Sequence, residues 1–76
     1  MRGTTRNERI EKHIGARIKK IRQQRQLSQT DLGDRFGITF QQIQKYEKGT
    51  NRVSASLLWR MSRFLQVPVD YFFAAR

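Results

Sequence analysis

The chain has 76 residues, with 16 Lys and Arg against 6 Asp and Glu for a formal net charge of +10, no cysteine and one histidine, His13. That length holds one domain around one small core, which is marginally stable unless well packed or oligomeric. Without cysteine there is no disulfide, thiol-ligated metal or catalytic thiol, one histidine argues against a metal site, no apolar run approaches a membrane span, and the opening MRGTTRNERIEKH lacks the apolar stretch of a signal peptide, so a soluble, unexported cytoplasmic protein without cofactor or membrane partner is expected.

Five helices and no strand are expected from the apolar spacing. In the first, Ile10, Ile14, Ile18 and Ile21 recur at four, four and three residues and share one face. It starts at residue 9 or 14 and ends near 24, because Gly15 weakens its early turns. The second follows Ser28 as N-cap, with Asp31 where a helix N-terminus favours an acid. Leu32 and Phe36 face inward, and Gly37 stops it in a left-handed conformation. The third restarts at once: Thr39 is the expected N-cap, Gln42 completes a Thr-x-x-Gln capping box, Ile43 and Tyr46 mark the buried face and Gly49 ends it. The fourth runs from Ser54 or Ser56 to about Leu65, with Leu57, Leu58, Met61, Phe64 and Leu65 apolar. The fifth is short, with Pro68 at its first position. The basic residues Arg2, Arg6, Arg9 and Lys12 fall in an N-terminal arm, residues 1–12, expected to be solvated and mobile, ahead of a domain over 13–76.

Residues 1–26 carry nine basic and two acidic residues, and residues 27–76 carry seven and four. Such an excess is the footprint of a partner with a regular array of phosphates. A merely solubilising surface is the plain alternative. Attraction to anionic lipid normally needs a basic face opposite a large exposed apolar one, and no helix can be spared from the core for it.

Two short helices joined by a tight glycine-containing turn make a helix-turn-helix. Gly33, mid-helix, fits a close approach of the third helix to the second, which an ordinary helical hairpin does not need. At about 100° per residue, with Ile43 inward, Gln41 and Lys45 point outward, Lys48 lies beside them, and Gln42 and Gln44 flank the strip. Glutamine can bond adenine N6 and N7, and lysine can donate to guanine O6 or N7, in the major groove. Phe40, apolar at the helix tip, is either a contact for a thymine methyl or a staple against a neighbouring helix.

The block LSQTDLGDRFGITFQQIQKYEKGTNRVSAS resembles the lambda-repressor-like (Cro/cI, XRE) helix-turn-helix regulators of bacteria and phages, over residues 14–73. The resemblance implies a five-helix all-α domain that binds double-stranded DNA, many members dimerising on paired half-sites. It places base reading on Phe40, Gln41, Lys45 and, more weakly, Gln44. It places phosphate contacts on Gln29, which also buttresses the third helix, on Thr39, and on the loop over 50–56 with Thr50, Asn51, Arg52, Ser54 and Ser56; Lys48 joins this set. It matches Arg22 and Glu47 to a structural ion pair. Three positions depart from the pattern: Gln26 stands where relatives often have glycine, Leu57 where they often have arginine, and Gln66 where glycine or asparagine is frequent.

Trp59 and Phe64 are expected in the core or a dimer contact, and some of Tyr71, Phe72 and Phe73 should pack on the first helix. The expected function is a sequence-specific DNA-binding transcription regulator, read as a repressor, homodimeric, on the bacterial nucleoid. An antitoxin or coactivator-like interaction protein on the same fold is the alternative. No nucleophile–base pair, phosphate loop or metal cluster supports an enzyme, and no small-molecule ligand is evident.

Overall fold

The computed structural model describes residues 6–74, with side chains from residue 8 onward. Its elements are α1 (Arg6–Gln24), α2 (Gln29–Phe36), α3 (Phe40–Lys48), α4 (Ala55–Leu65) and a 3-10 segment, Val69–Phe73. The architecture is all-helical, but the expected fifth α-helix is this 3-10 segment. Its bonds run Tyr71 N–H to Pro68 O (2.9 Å) and Ala74 N–H to Tyr71 O (3.4 Å). Five residues close too few turns for an α-helix, and short end pieces tighten into the 3-10 form. Pro68 therefore caps the segment from outside rather than opening it.

Helix α1 starts at Arg6, so residues 6–12 of the expected arm are helical. Arg2 lies outside the described residues, as does the side chain of Arg6. Contacts further along hold the first turns. Lys12 runs so close to Gly49 that a Cβ there would fall 2.6 Å from the Lys12 Cα, and the His13 ring bonds the Ala74 carbonyl. Gly15 does not break the helix, because it is where α3 crosses: an added Cβ would sit 2.2 Å from Tyr46 O and 2.6 Å from Glu47 O. The cost of about 1 kcal/mol for a helical glycine is offset by bringing two helices into backbone contact.

The core joins Ile14, Ile18 and Ile21 of α1 to Leu32 of α2, Ile43 of α3, Leu57, Leu58, Met61 and Leu65 of α4, and Phe72. Ile10, expected on the same face, is instead 44 % exposed and lies outside the core, in a shallow recess with Arg9, His13 and Phe73. Phe64 meets Phe36 edge-on with centroids 5.8 Å apart. Arg17 ties the C-terminal segment to α1, donating to Tyr71 O at 2.9 Å and laying its guanidinium 3.9 Å over the Tyr71 ring. Trp59, expected in the core or a dimer contact, is 53 % exposed on α4.

The reciprocal capping box forms at Ser28 and Asp31. At α3 the Thr39 hydroxyl accepts from Gln42 N–H (3.2 Å), so Thr39 caps with the hydroxyl alone and the box expected with Gln42 is half made. Asp31 has the shorter, acidic side chain that reaches back to an amide in a field favouring negative charge.

Candidate nucleic-acid interface

The turn between α2 and α3 is built on backbone. Gly37 takes the left-handed conformation (φ 68°, ψ 33°) and the Ile38 N–H returns to Gly33 O at 2.9 Å. A Cβ on Gly33 would lie 2.3 Å from Ile38 O, so the turn folds flat against α2 only because position 33 has no side chain. Leu32 of α2 and Ile43 of α3 are both fully buried in the common core.

Helix α3 is held from below by a polar clamp. Arg22, at the end of α1, donates from Nε to Glu47 Oε2 (2.6 Å), from Nη2 to Glu47 Oε1 (3.1 Å) and from Nη1 to Leu27 O (2.8 Å). Gln29, at the start of α2, donates Nε2 to Glu47 Oε1 at 3.0 Å. Arg22 and Glu47 are both buried, and each charge meets a hydrogen-bonded partner, as buried charges require. One carboxylate thus joins three helices.

The opposite face of α3 is open. Gln41, Lys45 and Lys48 are exposed, and Gln42 and Gln44 are half-buried on the flanks. Phe40, the first helical residue, is 43 % exposed.

The loop from α3 to α4 is organised by one acceptor. Lys45 O receives the Thr50 N–H (3.0 Å), the Thr50 hydroxyl (3.1 Å) and the Asn51 N–H (3.4 Å). Both donors of Thr50 are therefore committed inward. Ser54 caps α4 by accepting from Leu57 N–H at 3.1 Å, and its hydroxyl lies 3.3 Å from that of Ser56. Thr39 and Ser54 cap as acceptors, so neither uses its own hydrogen in the cap, and either serine hydroxyl can be the donor between Ser54 and Ser56. Asn51 is exposed, and Arg52 is an exposed cation whose Nε lies 3.4 Å from Glu11 Oε2. No local pattern in the sequence marks Glu11 as a partner of this loop, and Gly15, which sets the height of α3 over α1, is equally silent. Among the described residues no group of His, Cys, Asp and Glu could hold a metal ion, and no helix is long and apolar enough to cross a membrane.

A family model described as helix-turn-helix, of the Cro/cI (XRE) type, matches residues 18–72. The chain belongs to this family. It is 58 % identical over 64 residues to an uncharacterized HTH-type transcriptional regulator of Sinorhizobium medicae, covering 84 % of this chain and 46 % of the relative. It is 48 % identical over 65 residues to a transcriptional regulator in the ATPase CF(0) region of Rhodospirillum rubrum, covering 86 % and 60 %. An HTH-type regulator of Rickettsia conorii is 38 % identical over 66 residues, covering 87 % and 53 %. The chain spans about half the length of these curated relatives.

For a Cro/cI-type domain, the three departures resolve locally. Gln26 (φ 60°) and Gln66 (φ 61°) both adopt the left-handed conformation, so glutamine stands in strain at the positions where the family pattern has glycine, or at 66 glycine or asparagine. Leu57 is 8 % exposed and serves packing.

Proposed function

We propose that this chain is the sequence-specific, double-stranded-DNA-binding unit of a bacterial transcription regulator, with α3 in the major groove. The observation that carries this is the two-sidedness of α3: one face is fastened to α1 and α2 by backbone contact at Gly15 and by the Arg22–Glu47–Gln29 clamp, and the other offers glutamine and lysine to solvent. Rigid mounting under a donor-rich face is what base reading requires. Phe40, Gln41, Lys45 and, at the flank, Gln44 read base edges. Thr39, Lys48, Asn51, Arg52, Ser54 and Ser56 hold phosphates, while Thr50 shapes the loop. Gln29 braces Glu47 and reaches the backbone with its remaining amide hydrogen.

The protein acts as a homodimer on a pseudo-palindromic operator, with half-sites about 10–10.5 base pairs apart or a multiple, and represses by occlusion. Of the three C-terminal aromatics, Phe72 is core and Tyr71 lies under Arg17, which leaves the exposed Phe73 beside Ile10 as the apolar surface for a second copy. Titrating the purified protein onto duplex DNA at several salt concentrations tests the reading. If a dimer neutralises roughly 6 phosphates, log K falls with log salt at a slope near −5. A slope close to zero rules out DNA as the partner.

A further inference from the structure

On the shoulder formed by α2 and α4 lies a recess lined by Arg35, Phe36, Trp59, Arg60, Arg63 and Phe64. Phe36 and Phe64 meet edge-on as its floor, and Trp59 stands 53 % exposed at its side. Each arginine lies over a ring: Arg35 over Phe64 at 4.8 Å, Arg60 over Phe36 at 5.3 Å and Arg63 over Trp59 at 5.1 Å. None of the three takes part in an ion pair among the described residues. A guanidinium stacked on a ring keeps its in-plane N–H fork free, and that fork matches a carboxylate bidentately. The recess is therefore apolar at its base and cationic at its rim.

The geometry points to this recess as a docking site for an acidic peptide segment of a partner protein, with one aromatic or aliphatic side chain seated on Phe36, Phe64 and Trp59 and flanking carboxylates on Arg35, Arg60 and Arg63. Charge complementarity selects that occupant. A second copy docked through the same face by a two-fold axis would bring six unpaired guanidiniums together, and like charges at contact distance repel. DNA is the other polyanion, but the residues assigned to it open their helices, Gln29 on α2 and Ser54 before α4, whereas Arg35, Phe36, Arg63 and Phe64 close them. From Gln29 to Arg35 the helix rises about 9 Å. A shoulder so placed stays free while α3 is in the groove, which lets a DNA-bound protein hold a partner. The docking site stands whether or not the DNA reading does.

Trp59 is the single tryptophan of the chain, so its emission reports on the recess directly. The probe is a short synthetic peptide of Asp and Glu carrying one Phe and one Leu, titrated at about 0.15 M salt, where long-range attraction is screened. Its control has every acid replaced by the amide. The acidic peptide is expected to shift Trp59 emission saturably and to bind at least about 10-fold tighter than the amide control, the worth of one charge-assisted hydrogen bond. The double variant Arg60→Glu, Arg63→Glu should lose at least that factor while still melting cooperatively and still binding duplex DNA. Arg35→Gln is a milder second variant should charge reversal disturb folding. A random-sequence duplex should neither move the Trp59 signal nor displace the peptide. Equal binding of acidic and amide peptides overturns the proposal, as does absence of any saturable shift. A duplex that quenches Trp59 and competes with the peptide assigns the recess to DNA instead. An emission shift on concentrating the protein alone assigns it to a second copy.

Discussion

Glu47 gives both carboxylate oxygens to the guanidinium of Arg22, at 2.6 Å and 3.1 Å, across 25 residues of chain and between the ends of α1 and α3. The pair is buried, and Gln29 and Leu27 O complete its bonding. Removing one partner leaves the other charged and unpaired, so Glu47→Ala should cost about 3–5 kcal/mol. In a domain of this size that lowers the melting temperature by more than about 10 °C. Replacing both residues by apolar ones of similar volume should recover much of the loss, since the desolvation cost disappears with the charges. Thermal melts of the two variants decide it; a Glu47→Ala protein that melts like the wild type shows that the pair carries no stability.

Gly15 sets how close α3 lies to α1. A methyl there meets two backbone carbonyls that cannot swing aside, so Gly15→Ala should push the helices apart at a cost of about 1–3 kcal/mol. The displacement also shifts the outward face of α3, so affinity for a selected DNA site should fall further than stability explains. Gly37→Ala has open space around its new methyl but keeps a φ of +68°. Its cost of about 1–2 kcal/mol should be backbone strain alone. Melting and binding measured together separate the two, and unchanged site affinity in Gly15→Ala would remove the coupling between the α1 crossing and α3.

Gln26 and Gln66 work in the opposite sense. Both hold left-handed backbone with a side chain that disfavours it. Each change to glycine should stabilise the fold by roughly 0.5–1 kcal/mol, the strain relieved less the entropy that glycine adds to the unfolded chain. Chemical denaturation midpoints should rise for both. A fall at either position would mean that the glutamine side chain contributes more than its backbone costs.

Much of this was legible in the chain because it is encoded locally. Ser28, Gly37, Thr39 and Gly49 punctuate the two central helices within a turn of the residues they cap, and the boundaries of α2 and α3 follow from them. The inward positions Leu32 and Ile43 come from spacing alone. What was not legible depends on which elements meet. The start of α1 rests on Lys12 lying against Gly49 and on His13 bonding the last turn, so no nearby residue announces it. Gly15 looks like a helix breaker until α3 is laid across it. Ile10 obeys the spacing of its face yet stays 44 % exposed, beside Phe73 rather than in the core. Arg52 and Glu11 are joined across 41 positions, and the shoulder holding Trp59 appears only when α2 and α4 are side by side. In the candidate site, the outward residues of α3 followed from helical geometry, but the inward commitment of Thr50 depends on the path of a loop.

The capping box makes a pH prediction. Bonds from the Ser28 backbone and hydroxyl hold the Asp31 carboxyl below its ordinary value of 3.8. A carboxyl lowered by folding stabilises the native state above its unfolded pKa and loses that contribution as pH falls through the folded value. Asp31→Asn should therefore be less stable than the wild type near neutrality, and the gap should narrow below about pH 3.8 as the wild-type acid takes up its proton. Paired denaturation curves across the acid range test this; a gap independent of pH would place the box's contribution in neutral hydrogen bonding.

The central claim is that the open face of α3 reads base sequence, and a binding-site selection on folded Gln41→Ala, Lys45→Ala and wild-type proteins tests it most directly. Each substitution should cost about 1–3 kcal/mol on the best wild-type site and relax preference at one base position of the half-site. Non-specific affinity should hold for Gln41→Ala, which removes no charge, and fall modestly for Lys45→Ala. Selection of the unaltered wild-type motif by both variants would contradict the account and move sequence reading off α3.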